Sequence, residues 1–211
     1  MQRCSMLSLL ILIQACGQGS VASEQETLPS ELTTRGVTAS LTVYFGDIII
    51  TSATGIDLLR GYRLVKGNVF INPLGISDLR GLESLQTIEG TLDIAYDSSQ
   101  RQSLKSLEGL DTLEHVTGYV QLENCDLLEH LGGLDSLRRV GGSLSVYNNE
   151  RLHSVDALGG LEHVELNFNI LNNPQLPCHE AETLVSALGE GNVGGDVSVL
   201  NNGEAVGASC L

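Results

Sequence analysis

The sequence predicts an all-β solenoid, a stack of short coils around one continuous aliphatic core. Three observations predict it. First, "TGYVQLENCDLLEHLGGLDSLRRV" (117–140) is followed without a gap by "GGSLSVYNNERLHSVDALGGLEHV" (141–164), and a period of this length marks stacked repeats instead of one closed globule. Second, leucines recur at every third position in a phrase that appears four times. Third, 42% of the 211 residues are hydrophobic but only 4% are aromatic, and tryptophan is absent. A core made of Leu, Ile and Val in thin layers suits that supply.

The strand units come first in each coil. They are "GDIII" at Gly46, "GNVFI" at Gly67, "GTLDI" at Gly90, "GYVQL" at Gly118, "GSLSV" at Gly142, a degenerate "LNFNI" at Leu166 and "GDVSV" at Gly195, which gives about seven coils. Their spacing varies from one coil to the next, so insertions belong in loops and the core register is fixed. Each unit alternates apolar and outward residues, the period of a half-buried strand. Val69 and Ile71, Leu92 and Ile94, Val120 and Leu122, Leu144 and Val146, and Phe168 and Ile170 therefore point inward.

The intervening phrase is "LKSLEGLDTLEHV" at Leu104, with "ISDLRGLESLQTI" at Ile76, "LEHLGGLDSLRRV" at Leu128 and "LHSVDALGGLEHV" at Leu152. Its triplet spacing rejects an α-helix, because four steps of three residues drift roughly 240° around a helix axis. A chain that turns a corner every few residues aims each leucine at a central axis instead. Asparagines follow the strand units at Asn124, Asn148, Asn172 and Asn201, with Asn72 one place earlier in its own coil. Asparagine tolerates the left-handed backbone, and its amide can hydrogen-bond to the next coil, so the column reads as a tight turn.

The N-terminus reads as export machinery. Arg3 precedes the apolar run "MLSLLILI" (6–13), which is long enough for a signal-peptide core and too short to span a bilayer. Residues 1–15 are expected to be the signal peptide. "IQAC" ends in Cys16 and resembles a bacterial lipobox, with Gln14 where that motif carries a small residue. The resemblance implies cleavage before Cys16 and its lipidation; cleavage after "SVA" (20–22) is the alternative, and gives a secreted protein. Residues 16–36 are polar and lack a hydrophobic period, as expected of a flexible tether.

From Leu41 to Leu211, the glycine-opened strand, the asparagine turn and the leucine triplets recur in the same order. In this the chain resembles the receptor L-domain family, leucine-rich β-helical modules found in the ectodomains of insulin and epidermal-growth-factor receptors; similar repeats occur in bacterial surface lipoproteins. The resemblance implies a right-handed parallel β-helix with no catalytic machinery and a sheet face used for binding. The nearest alternative is a leucine-rich-repeat horseshoe, whose period overlaps this one. The predicted domain is 41–211.

Solenoid ends need covering. "CHEAETLVSALGEG" (178–191) places Ala181, Leu184, Val185 and Leu188 at helical spacing, after Pro177 and with Gly189 at its end, which predicts a short capping helix from 178. In an exported chain, Cys178 and Cys210 bracket that cap and are expected to form a disulfide worth on the order of 3 to 4 kcal/mol. Cys125 is then left as a free thiol in the second asparagine position of its coil.

Chemistry narrows the function to recognition. Lys and Arg number 11 against 26 Asp and Glu, a formal net charge of −15. Such a surface repels nucleic acid and favours cationic or Ca²⁺-bridged ligands. Some parallel β-helices cleave polysaccharides, which needs clustered carboxylates in one groove. Here the outward strand column reads Ile49, Phe70, Asp93, Gln121, Ser145, Asn169 and Ser198, with one carboxylate. His115 and His163 share a column two coils apart, too far to share a zinc ion. No catalytic residue, metal site or cofactor is expected. The candidate binding residues are Asp93, Tyr119, Gln121, Glu123, Ser145, Tyr147 and Asn169, facing a protein, peptide or glycan ligand. The expected function is a non-enzymatic recognition or adhesion module on the bacterial cell envelope, membrane-anchored through Cys16. A structural spacer is the first alternative and a polysaccharide-acting enzyme the second.

Overall fold

The computed structural model describes residues 42–72, 75–95, 103–189, 191–203 and 210. The expected signal peptide, the lipidation site Cys16 and the tether lie outside the described residues. Within them the chain alternates between two parallel sheets. The six-stranded sheet contains β1 (Val43–Phe45), β3 (Leu64–Lys66), β5 (Thr87–Ile88), β7 (His115–Val116), β9 (Arg139–Val140) and β11 (His163–Val164), in that order. The seven-stranded sheet contains β2 (Ile48–Ile50), β4 (Val69–Ile71), β6 (Leu92–Ala95), β8 (Val120–Glu123), β10 (Leu144–Tyr147), β12 (Phe168–Leu171) and β13 (Val197–Leu200). Every strand pairs with its counterpart one coil away, as a solenoid requires.

The seven expected strand units are the seven strands of the larger sheet. Their register aligns Ile49, Phe70, Asp93, Gln121, Ser145, Asn169 and Ser198 in one outward column. The predicted inward pairs are all buried, and the triplet residues of all four phrases join them in one core. The smaller sheet was not anticipated. Its later strands are only two residues long and close the triplet phrases at Ile88, Val116, Val140 and Val164. Two residues cannot display an alternating pattern, and the β-branched residue that ends each phrase is the one trace of the sheet in the sequence.

Helices replace the triplet phrase in the terminal coils. The predicted cap forms as α2 (Cys178–Leu188), which buries Ala181, Leu184 and Leu188 and packs on the 3₁₀ turn Asp156–Gly160 of the preceding coil. It ends at Leu188 with Gly189, the expected stop, as its C-cap at φ of 81°. At the other end α1 (Ala53–Leu58) buries Ile56 against β2. Its sequence, ATGIDL, holds a glycine and two β-branched residues, and this weak intrinsic preference hid it.

The asparagine turns hold two separate columns. Asn124, Asn148, Asn172 and Asn201 adopt the left-handed conformation, with φ between 54° and 57°. The residues after three of them, Asn149, Asn173 and Asn202, are wholly buried. There each side-chain Oδ1 accepts the backbone N–H of the coil before it: Cys125 to Asn149 at 2.9 Å, Asn149 to Asn173 at 3.1 Å and Asn173 to Asn202 at 3.0 Å. Each Nδ2 in turn donates to a strand carbonyl, of Leu122, Val146 and Ile170 respectively. The ladder therefore satisfies backbone groups that the corner would otherwise bury unpaired.

Cys178 and Cys210 are joined as a disulfide, with Cα atoms 5.3 Å apart. The Cys210 N–H donates to Val199 O of β13 at 3.0 Å, so the bond pins the chain against the last strand of the larger sheet. Cys125 is the free cysteine of the described residues and is buried. Replacing both Cys178 and Cys210 with Ser is expected to lower the unfolding free energy by roughly 3 to 4 kcal/mol, read from urea denaturation. The Cys125 thiol should stay unmodified by a maleimide until the chain unfolds. Burial, with the charges of Asp126, Asp93 and Glu123 behind it, pushes the thiol up to about 12.

Candidate functional site

Residues with no core duty gather on the outer face of the larger sheet. Alternation along β6, β8 and β10 sends Leu92, Ile94, Val120, Leu122, Leu144 and Val146 inward, which leaves Asp93, Gln121, Glu123, Ser145 and Tyr147 outward. Register then places Asp93 beside Gln121 in one column, and Glu123 between Ala95 and Tyr147 in the next. Tyr119, just before β8, is tied to the Asp93 rung by the Leu92 N–H, which donates to its carbonyl at 3.0 Å. Its side chain is 40% exposed, the most open of the group.

Glu123 is the hub. Its Oε2 accepts the Tyr147 hydroxyl at 2.7 Å and the Gln121 amide at 3.2 Å, while Oε1 accepts Asn124 Nδ2 at 3.3 Å. Asn124 therefore belongs to the site as well as to the turn, a role that its place in a repeated column concealed. Asp93 has the opposite condition. Its Oδ1 is sealed from solvent without a hydrogen-bond partner, as is Asn72 Oδ1 just past the end of the neighbouring strand β4. Burial first, and then the charge of Glu123, raise the Asp93 carboxyl above its ordinary value. The same surroundings raise both phenols, Tyr119 through burial and Asp93, and Tyr147 through burial, its bond to Glu123 and the nearby charges.

The Asp93 shift has a definite sign in stability. Below about pH 3.9, the ordinary carboxyl value, the group is protonated whether the chain is folded or not. As pH rises the unfolded chain ionises first, so stability falls through the window that ends at the raised value of the folded state. Asp93→Asn removes that loss. It should melt higher than wild type at pH 7, and the difference should close by about pH 3 in thermal melts followed by circular dichroism.

Ser145 and Asn169 lie farther along the Asp93 column and bond to each other, Asn169 Nδ2 donating to Ser145 Oγ at 3.1 Å. They continue the polar strip but stand apart from the acidic and aromatic group. The ends of the face are apolar: Ile49, the first residue of the expected outward column, is 67% exposed, and Leu200, which the sequence did not single out, is 41%. The wider concavities lie elsewhere. An open groove of about 710 Å³ runs beside α2, lined by Pro174, Gln175, Pro177, His179 and Glu182 among others. Its polar groups do not converge on one point with the sheet residues. Among the described residues no group of three or more His, Cys, Asp or Glu is placed to hold a metal ion.

The receptor L domain family model matches residues 86–189, from the start of the β5 coil to the end of α2. Residues 86–189 are a receptor L domain. The coils before this L domain and the strand after it extend the same stack, since β4 pairs in register with β6 and β13 with β12. None of the curated proteins compared with the chain matches it. The match to the receptor L domain family supports a binding and recognition module in this segment. Asp93, Tyr119, Gln121, Glu123, Ser145, Tyr147 and Asn169 all fall inside the L domain.

Proposed function

We propose that the protein is a non-enzymatic recognition module, exported and held at the bacterial cell envelope by a lipid on Cys16. It engages its ligand across the outer face of the seven-stranded sheet. The observation that carries this reading is the cluster of Tyr119, Gln121, Glu123 and Tyr147 at the centre of that face, where a half-buried aromatic and amide surface has no packing duty. Asp93 and Glu123 do stand near each other, and carboxylate pairs cleave glycosidic bonds. Both Glu123 oxygens are already occupied as acceptors, however, and the pair lies on a sheet face instead of in a cleft. This arrangement favours binding over hydrolysis, and the mixed polar face favours recognition over a spacer role.

Two experiments test the two halves. Labelling with a fatty acid should mark the wild-type chain, and Cys16→Ser should lose the label and leave the membrane fraction; retention by Cys16→Ser would overturn the anchor. For the face, the full chain is panned against a random peptide library and a glycan array. Ser145→Arg, which lays a long charged side chain across the strip, should weaken the selected ligands at least tenfold. Selected ligands indifferent to Ser145→Arg would overturn recognition by this face.

A further inference from the structure

We infer that the Asp93 patch is built for a cationic side chain, and that the ligand is a basic polypeptide segment placing an Arg or Lys between Tyr119 and Tyr147. This rests on the recognition reading above and names the chemistry of its central contact. A carboxylate on a sheet face is ordinarily solvated or paired. Asp93 is half-buried, one of its oxygens is sealed without a donor, and no Lys, Arg or His of the described residues pairs with it. The charge that acts on it is that of another carboxylate, Glu123. Glu123 has three donors of its own, so the local deficit in positive charge and in hydrogen-bond donors falls on Asp93. A second acceptor without a donor, Asn72 Oδ1, lies on the neighbouring coil, just past the end of β4.

The fold does not need this carboxylate. Its column continues with Gln121, Ser145, Asn169 and Ser198, neutral residues that fit the same pleat. A residue that breaks the local pattern at a cost in stability is where function is expected. A ligand cation offsets the charge deficit by placing positive charge beside the half-exposed carboxylate, while Oδ1 itself stays sealed. The partly open ring of Tyr119, one coil from Asp93, supplies aromatic surface for the guanidinium plane or the lysine stem, and half-buried Tyr147, two coils away, continues it. A bare divalent ion fits less well, because such ions need several free oxygen ligands and the Glu123 oxygens are taken. The net charge of −15 adds long-range attraction for a basic segment.

The test is an NMR titration of the ¹⁵N-labelled full chain with the blocked tripeptide acetyl-Gly-Arg-Gly-amide, against acetyl-Gly-Glu-Gly-amide as control. The arginine peptide should give saturable shifts centred on Asp93, Tyr119, Gln121, Glu123 and Tyr147, and the glutamate peptide none. Asp93→Asn should weaken the arginine peptide at least tenfold while melting above wild type at pH 7, which separates lost binding from lost structure. Absent shifts, shifts centred elsewhere, or an Asp93→Asn titration equal to wild type would overturn the inference. Library ligands that Ser145→Arg blocks but that carry no Arg or Lys would overturn it too, leaving recognition by the face intact. Failure to select any face-dependent ligand would remove both.

Discussion

Gly109→Ala is expected to lower the unfolding free energy by on the order of 4 kcal/mol and to leave little folded protein at 37 °C. Gly109 is buried in its triplet phrase with φ of +114°, a conformation that costs an L-residue strain. A Cβ there would run into the carbonyl oxygen of Leu79 in the coil before it. That carbonyl belongs to backbone held between coils, since the Leu79 N–H donates to Glu108 O at 2.9 Å, so it has no cheap retreat. Strain and overpacking contribute about 1 to 3 kcal/mol each. Gly81 and Gly133 hold the equivalent positions, also at positive φ and against the coil before. The fourth phrase carries Ala157 instead, and there the backbone forms the 3₁₀ turn Asp156–Gly160. Gly159→Ala is the control: its Cβ meets nothing within 4 Å, and its unfolding midpoint in urea should stay near wild type. A Gly109→Ala midpoint equal to that of Gly159→Ala would contradict the close stacking of these coils.

Asn173→Leu is the second large effect, again on the order of 4 kcal/mol. The substitution keeps volume and removes every bond of the ladder's central amide. The Asn149 N–H and Nδ2 lose their shared acceptor at 3.1 Å, and the carbonyls of Val146 and Leu171 lose their donor. Groups buried this deeply cost about 1 to 3 kcal/mol each when left unpaired. The neighbouring Asn172 is exposed, and its turn conformation suits glycine, so Asn172→Gly should cost less than about 1 kcal/mol. Cys125→Asn should raise the melting temperature. The Cys125 Sγ lies 3.6 Å from Ile94 O, where the other coils place an amide donor, and an asparagine restores the missing rung. If Asn173→Leu melts with Asn172→Gly, the buried column is not what orders the corner.

These two columns show how far the sequence could be read. The repeat exposed the larger sheet strand by strand, because period-two alternation in "LDI", "VQL" and "LSV" leaves no second assignment for the apolar residues. The triplet leucines identified the core for the same reason. The smaller sheet stayed hidden because its strands end phrases whose pattern is set by the core. The two asparagine columns looked alike in sequence, yet one solves a backbone dihedral and the other a burial problem. Both columns bond from coil to coil, Asn172 to Asn148 and Asn201 to Asn172 in the first, but only the second is wholly buried and directs its amides to backbone groups.

The site was legible as a list and not as an electrostatic arrangement. Alternation alone picked out Asp93, Gln121, Glu123, Ser145 and Tyr147 as outward, and their clustering follows from the register between coils of unequal length. That Glu123 is saturated while Asp93 lacks a donor depends on side-chain geometry, which a one-dimensional pattern does not carry. Asn124 entered as a turn residue and also proves to hold the Glu123 carboxylate.

The most direct measurement is hydroxyl-radical footprinting of the full chain, alone and with the tightest peptide from the library. Oxidation reads side chains, and Tyr119 and Tyr147 are reactive reporters at the centre of the face. With the peptide bound, labelling of both should fall, while Tyr44 and Tyr62, which pack edge to face in the N-terminal coils, should label as before. Unchanged labelling of Tyr119 and Tyr147, with protection confined to α2 or to the groove beside it, would contradict recognition by the seven-stranded sheet.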